Sequence, residues 1–226
     1  MARVDAGTLN VPAGRDLNAQ AVAIAATGDA SIRAGNDINL TVVGTSYGES
    51  FNFGKKNRSE MRTTEDVGTR IAAAGNLTLM AAQDINAIAA QVSSDKQLAV
   101  GAGRDINVLA GDSSGYTYNE IYYKTKGFWS SKTTHRIKEA SWSAGVASTF
   151  TGDTTMVMAG RDVNVVGSNV GAQNDLVISG ERNVNIVAGE NTSANYDYER
   201  IKKSGFGTRR RGNTYQTITF HLVINV

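Results

Sequence analysis

The sequence contains no cysteine, which excludes disulfide stapling and thiolate metal sites. It has a single proline beside 24 glycines, and no apolar run approaches the length needed to span a membrane as a helix. Apolar residues at helical spacing are missing, which argues against a repeat built from α-helices. Neither sign of charge is in excess: 23 Lys and Arg against 21 Asp and Glu leave +2, too near neutral to read a nucleic-acid partner from the total. Only His135 and His221 could serve as bases at neutral pH, and neither has a nucleophile at motif spacing. No apolar segment follows the opening Met1-Ala-Arg-Val-Asp5, so a signal peptide is not expected and the 226 residues read as a piece of a longer chain.

What is present is a repeat. Aligned on an aspartate, six copies appear at Asp16, Asp37, Asp84, Asp105, Asp162 and, as a substitution, Asn183. The next residue is apolar each time: Leu17, Ile38, Ile85, Ile106, Val163 and Val184. Asparagine follows at Asn18, Asn39, Asn86, Asn107, Asn164 and Asn185. Three before the aspartate the residue is small, and five before it is apolar, as in Val100-Gly-Ala102. Period-two alternation puts the apolar positions on one side of two short strands that bend at the Gly-x-Asp step. Such a unit cannot bury its apolar side alone, and stacking copies solves that. Asp16 to Asp37, Asp84 to Asp105 and Asp162 to Asn183 are each 21 residues apart, the length of one β-helical coil. The expected fold is therefore all-β, a right-handed parallel β-helix of six coils that spans roughly 29 Å at ~4.8 Å per coil. The asparagines then form a structural ladder of side-chain amides, each donating and accepting along the axis. A calcium-binding column of aspartates is the rival reading, but the nonapeptide Gly-Gly-x-Gly-x-Asp spacing it requires is absent.

The repeat is interrupted. Asp37 and Asp84 are 47 residues apart, and Asp105 and Asp162 are 57 apart, so coils come in pairs with an excursion after each. The excursions cover about 41–66, 109–151 and 188–226, and all 16 aromatic residues fall in them. Alternating strands flank a glycine- and lysine-bearing centre in each, which predicts three protruding β-hairpins that pair into a second sheet. Candidate surface-contact residues at the hairpin tips are Phe53, Lys55, Lys56, Lys126, Phe128, Trp129, Lys203 and Phe206. One reading has these tips touch a glycan, a lipid headgroup or a protein, since aromatic and basic residues anchor interfaces. The plainer reading has the aromatics cover the helix flank and the lysines protect sheet edges.

No enzyme is expected. Arg15, Arg104, Arg161 and Arg182 stand just before the aspartate position, Asn183 in the last copy, at one place in the repeat, whereas an active site breaks a repeat. Arginine–aspartate alternation along a stack reads more simply as a charge-compensated corner. No cofactor is implied, and Arg209-Arg210-Arg211 is too short a basic run to imply a nucleic-acid partner.

The units Ala102-Gly-Arg-Asp-Ile-Asn-Val108, Ala159-Gly-Arg-Asp-Val-Asn-Val165 and Gly35-Asn-Asp-Ile-Asn-Leu40 resemble the haemagglutinin repeats of filamentous-haemagglutinin-like exoproteins. The excursions, such as Lys126-Gly-Phe-Trp-Ser-Ser-Lys-Thr-Thr-His135 and Lys203-Ser-Gly-Phe-Gly207, look like those in the second repeat region of contact-dependent growth-inhibition exoproteins. The resemblance covers essentially the whole chain. It implies two-partner secretion through an outer-membrane transporter, display at the bacterial cell surface as a filament, and a part in delivering a C-terminal toxin across a target cell's outer membrane. The secretion-domain motifs and any toxin nuclease motif are absent, so this piece is expected to be neither export signal nor toxin. An adhesin segment that binds host glycan or protein is the alternative, with a surface receptor as partner, and a polysaccharide-active enzyme is a third.

Overall fold

Short alternating stretches rich in Val, Ile, Leu and Thr favour strands, and the computed structural model contains strands and no helix among its described residues, 1–54 and 56–205 with the backbone of 212–225. The first coil consists of β1 (Ala2–Ala6), β2 (Leu9–Ala13) and β3 (Leu17–Gln20), and the second of β4 (Val22–Ala26), β5 (Ala30–Ala34) and β6 (Ile38–Thr41). A hairpin follows, β7 (Val43–Asn52) and β8 (Arg58–Val67). The third coil is β9 (Arg70–Ala73), β10 (Leu77–Ala81) and β11 (Ile85–Ile88), and the fourth β12 (Gln91–Ser94), β13 (Gln97–Ala102) and β14 (Ile106–Leu109). The second hairpin is β15 (Gly111–Lys126) and β16 (Ser130–Val146). Coils five and six are β17 (Thr149–Gly152), β18 (Thr154–Ala159), β19 (Asp162–Val166), then β20 (Asn169–Ala172), β21 (Leu176–Gly180), β22 (Asn183–Val187). The third hairpin, β23 (Gly189–Gly205) and β24 (Gly212–Asn225), ends the described chain.

Like strands of successive coils pair in parallel, giving three six-stranded sheets: β1-β4-β9-β12-β17-β20, β2-β5-β10-β13-β18-β21 and β3-β6-β11-β14-β19-β22. The expected parallel β-helix is therefore what the chain forms. Each coil has three strands, however, where the aspartate-centred repeat shows two. The missed strand, Arg70-Ile-Ala-Ala73 or Gln91-Val-Ser-Ser94, is four or five residues long with one or two inward positions, too little to set up a pattern. The repeat positions behave as alternation requires: Ile32, Ile38, Leu40, Leu79, Ile85, Ile106, Val157 and Val163 have no exposed surface.

One aromatic departs from the expected segregation. Phe150 lies on β17, a coil strand, and is wholly buried in the core, because the second hairpin ends at Val146. It stands in register with Val92, so this layer gains volume on one sheet. The same layer loses volume on the next sheet, where Thr155 stands in register with Leu98. Close packing of interiors makes such compensation necessary. The corner glycines are equally constrained: a Cβ on Gly103 would lie 2.2 Å from the Ala82 carbonyl oxygen, and one on Gly160 would lie 2.4 Å from that of Gly103.

The hairpins arise at one corner, between the third strand of a coil and the first strand of the next. In coils one, three and five this corner turns through a single left-handed residue, Ala21 (φ 49°), Ala89 (φ 48°) or Gly167 (φ 56°). In coils two, four and six it opens into a hairpin. The reason for alternation is axial height. A hairpin is two strands wide, about 9.6 Å, which matches the rise of two coils and not of one. The hairpins thus pair edge to edge into a fourth sheet, antiparallel, in the order β24-β23-β16-β15-β8-β7. Buried hydroxyls pin the returning chains at its base: Thr69 Oγ1 donates to the Ala19 carbonyl (2.9 Å), and Ser148 Oγ donates to that of Leu109 (2.7 Å).

Candidate functional site

The sequence singles out two sets of side chains, one on the coil and one on the hairpin sheet. On the coil, the apolar residues one and three places after the aspartate, such as Ile85 and Ala87, face inward, so the asparagine between them faces out, where its neighbour above and below is another asparagine. Asn39 donates its amide to Asn18 (3.0 Å), Asn86 to Asn39 (3.0 Å), Asn107 to Asn86 (2.8 Å), Asn164 to Asn107 (2.8 Å) and Asn185 to Asn164 (2.7 Å). All six form one continuous column. The aspartates form a second column at the corner, each accepting from the coil that follows. Asp84 accepts the backbone N–H of Asp105 (3.1 Å) and the guanidinium of Arg104 through Nε (2.7 Å) and Nη2. Asp105 repeats this with Arg161 and the Asp162 N–H, whereas Asp162 accepts from Arg182 and from the side-chain amide of Asn183. The Arg182 hydrogen bond, against the opposing effect of burial and with help from Asn183, holds the Asp162 carboxyl down to about 2. These lone pairs are spent on the fold, and no group of three or more His, Asp or Glu that could hold a metal occurs among the described residues.

On the hairpin sheet, the contact candidates lie in the outer half, those of the shorter first hairpin level with Tyr122 and those of the second at the far end. Phe53 is 71% exposed beside the first turn, with its ring 6.2 Å from Phe51. Lys56 places its ammonium 5.1 Å from the centre of the Tyr122 ring. Phe128 and Trp129 form the second turn itself, closed by the Gly127 N–H donating to the Ser130 carbonyl (2.7 Å). Their rings meet edge to face at 5.3 Å while 94% of Phe128 and 70% of Trp129 stay exposed. Lys126 and Lys203 are exposed on neighbouring hairpins. Lys55 and Phe206, and the side chain of His221, lie outside the described residues.

Midway along the sheet sits a cluster that the sequence does not signal. Glu120 of β15, only 9% exposed, accepts from Arg58 Nε of the first hairpin (2.9 Å) and Tyr118 Oη (3.3 Å), and shares a 2.7 Å hydrogen bond with His135 Nε2. Burial pushes the Glu120 carboxyl up, but these bonds outweigh it and leave it below its ordinary range. The His135 ring also lies edge-on to Tyr122 (5.9 Å) and to Tyr198 of the third hairpin (5.7 Å). The Glu120 carboxylate therefore ties the first hairpin to the second, and the His135 ring carries the contact to the third. Its partners are 62 and 15 residues away in sequence, so no local spacing could reveal it.

A Hemagglutinin repeat family model matches residues 46–160 and 127–214. The chain belongs to the hemagglutinin-repeat family. Curated relatives agree, and they include the growth-inhibition exoproteins whose repeats the sequence resembles. The chain is 39% identical over 187 residues to the 16S rRNA endonuclease CdiA of Enterobacter cloacae subsp. cloacae, covering 83% of this chain and 6% of that protein. It is 34% identical over 193 residues to the tRNA nuclease CdiA of Escherichia coli strain STEC_O31, covering 85% and 6%. A Hemolysin of Serratia marcescens is 31% identical over 156 residues, covering 66% of this chain and 9% of that protein. This hemagglutinin-repeat chain thus spans about 6% of the length of these two CdiA relatives. No solved structure matches it.

Proposed function

We propose that this hemagglutinin-repeat chain is a structural and delivery segment of a contact-dependent growth-inhibition toxin exoprotein. The exoprotein leaves the cell by two-partner secretion through an outer-membrane transporter and stands on the bacterial surface as a filament. Its hairpin tips contact the target cell's outer membrane and help the toxin cross. In this reading the segment itself is not an enzyme, and the nuclease activities in the CdiA names belong to other parts of those proteins. The observation that carries it is a scaffold whose large exposed aromatics gather on one sheet: Phe53, Phe128 and Trp129 are all at least 70% exposed.

The test is made in the full-length exoprotein. Each hairpin is replaced by the short corner of one or two residues found in the odd coils, and growth inhibition of target cells is measured with surface display as the control. Display should persist and inhibition should be lost. Full inhibition without the hairpins would sink the delivery role, and binding to host cells or glycans but not to bacteria would favour an adhesin.

A further inference from the structure

The near-neutral total hides a separation of charge. Residues 50–59, 121–138 and 200–226 contain 14 of the 23 Lys and Arg and none of the 21 Asp and Glu, so they carry +14 and the remainder −12. The strand pairings bring the described parts of these three stretches to the outer half of the hairpin sheet. Asn52 stands opposite Arg58, Ile121 opposite Arg136, and Thr134 opposite Ile201. The cations nearer the base are neutralised: Arg58 pairs with Glu120 (2.9 Å), Arg136 with Glu199 (2.6 Å) and Lys138 with Asp197 (3.5 Å). Beyond them, among the described residues, Lys124, Lys126, Lys132, Lys202 and Lys203 stand in no ion pair.

Two of these lysines face each other directly. Lys132 of β16 and Lys203 of β23 are cross-strand partners, an arrangement that costs stability through like-charge repulsion. One step along the ladder, Ser131 and Ser204 are also partners, with hydroxyls 2.8 Å apart. Ser131 in turn stands opposite Lys126. Successive side chains alternate faces, so Lys132 and Lys203 share one face while Ser131, Ser204 and Lys126 share the other. A tetrahedral oxyanion held between the two facing ammonium groups would remove their repulsion.

The position of the aromatics narrows the source of that anion. Nucleic-acid bases stack on aromatics along a groove or sheet face. Here Phe128 and Trp129 occupy the turn, ahead of Lys126 and Lys132, which follow two to four residues behind along the strands. Aromatic rings leading, with flexible cations behind, is the order met on entering a membrane interface. We infer that the outer end of the hairpin sheet, with Lys126, Lys132 and Lys203 behind the Phe128-Trp129 turn, recognises the phosphates of an anionic lipid surface, the lysines holding phosphate and the turn aromatics entering between headgroups. The inference rests on the membrane contact proposed above and specifies its chemistry.

The test uses the 226-residue chain and vesicles of phosphatidylcholine, with and without added lipid A, in a flotation assay. Binding should require lipid A and fall as salt rises, since screening weakens exposed charge contacts. Lys126→Gln/Lys132→Gln/Lys203→Gln should lower affinity on the order of 100-fold, at the worth of three basic residues at an anionic surface. The charge control is Arg33→Gln/Lys96→Gln on exposed coil surface, which should bind as the parent does. Phe128→Ser/Trp129→Ser should weaken binding while leaving its salt dependence in place. Circular dichroism of each variant checks that the strands are retained. Equal binding to phosphatidylcholine alone, or single-stranded RNA outcompeting the lipid A vesicles, overturns the phosphate-lipid inference. Binding to whole target bacteria without binding to lipid A vesicles also overturns it, yet leaves the delivery reading standing on some other surface component.

Discussion

In the coil, a side chain meets its own kind. Asn107 lies between Asn86 and Asn164, and Ile106 is in register with Ile85 and Val163. Midway along the hairpin sheet, pairing brings unlike residues together: Glu120 meets Arg58 and His135, while Tyr122 stands opposite His135. The coil satisfies its polar groups and buries its apolar ones through repetition, so every copy can be nearly the same. The hairpins stand outside that core and are fixed by particular contacts. Stability and exposure are thereby divided between two parts of one chain, and substitutions can probe the division.

The largest difference expected is between a coil interior and a hairpin tip. Leu79 has no exposed surface and Phe128 is 94% exposed. Leu79→Ala should cost about 3 kcal/mol, from lost transfer energy and a residual cavity, whereas Phe128→Ala should change stability by less than about 0.5 kcal/mol. Urea midpoints measured on the two variants check this. A comparable loss from both would mean that the tip aromatics are part of the packing rather than free for contact.

A smaller and more local effect is expected at Glu120. Glu120→Gln keeps the shape but removes the charge that Arg58 and His135 share, which should cost about 1–3 kcal/mol. Because the contact joins hairpins, the loss should appear as faster amide exchange in β8, β15, β16 and β23. Exchange in β10 and β13, at the centre of the second coil sheet, should stay as it was. Uniform acceleration through both parts would break the comparison, showing hairpins and coil to open as one unit.

The same contrast explains what can be read from the sequence. The coil repeats, so inward positions such as Ile85 and Ala87, the asparagine column and the corner arginines are all visible as recurrences. The first strand of each coil is not. Ile71, Val92 and Phe150 occupy one column, but the strands around them share little else, and hairpins of different length separate them from the aspartate used for alignment. By sequence Phe150 falls in an excursion for that reason. That hairpins would pair is legible from the doubling of the coil interval. Their register is not, and with it go the Glu120 cluster and the facing of Lys132 on Lys203, which depend on strands from different excursions meeting at one level.

The smallest effect concerns acid. The Asp162 carboxyl lies at about 2 in the fold against an ordinary 3.8, because Arg182 and Asn183 hydrogen-bond its charged form. A depressed folded value contributes stability that is fully present above 3.8 and is lost as pH falls through about 2. Asp16 and Asp84 are lowered too, each chiefly by a side-chain hydrogen bond, from Asn36 and Arg104 respectively. The coil should therefore lose part of its stability across this window, and one substitution should remove only one corner's share. Asp162→Asn is expected to shrink slightly the fall in urea midpoint between mildly and strongly acidic buffer. Since the Arg182 side chain is 60% exposed, added salt should shrink the fall further in the parent than in the variant. If the two pH profiles run parallel at both ionic strengths, the aspartate column titrates alike folded and unfolded. The corner would then be held by its backbone hydrogen bonds and glycine packing alone.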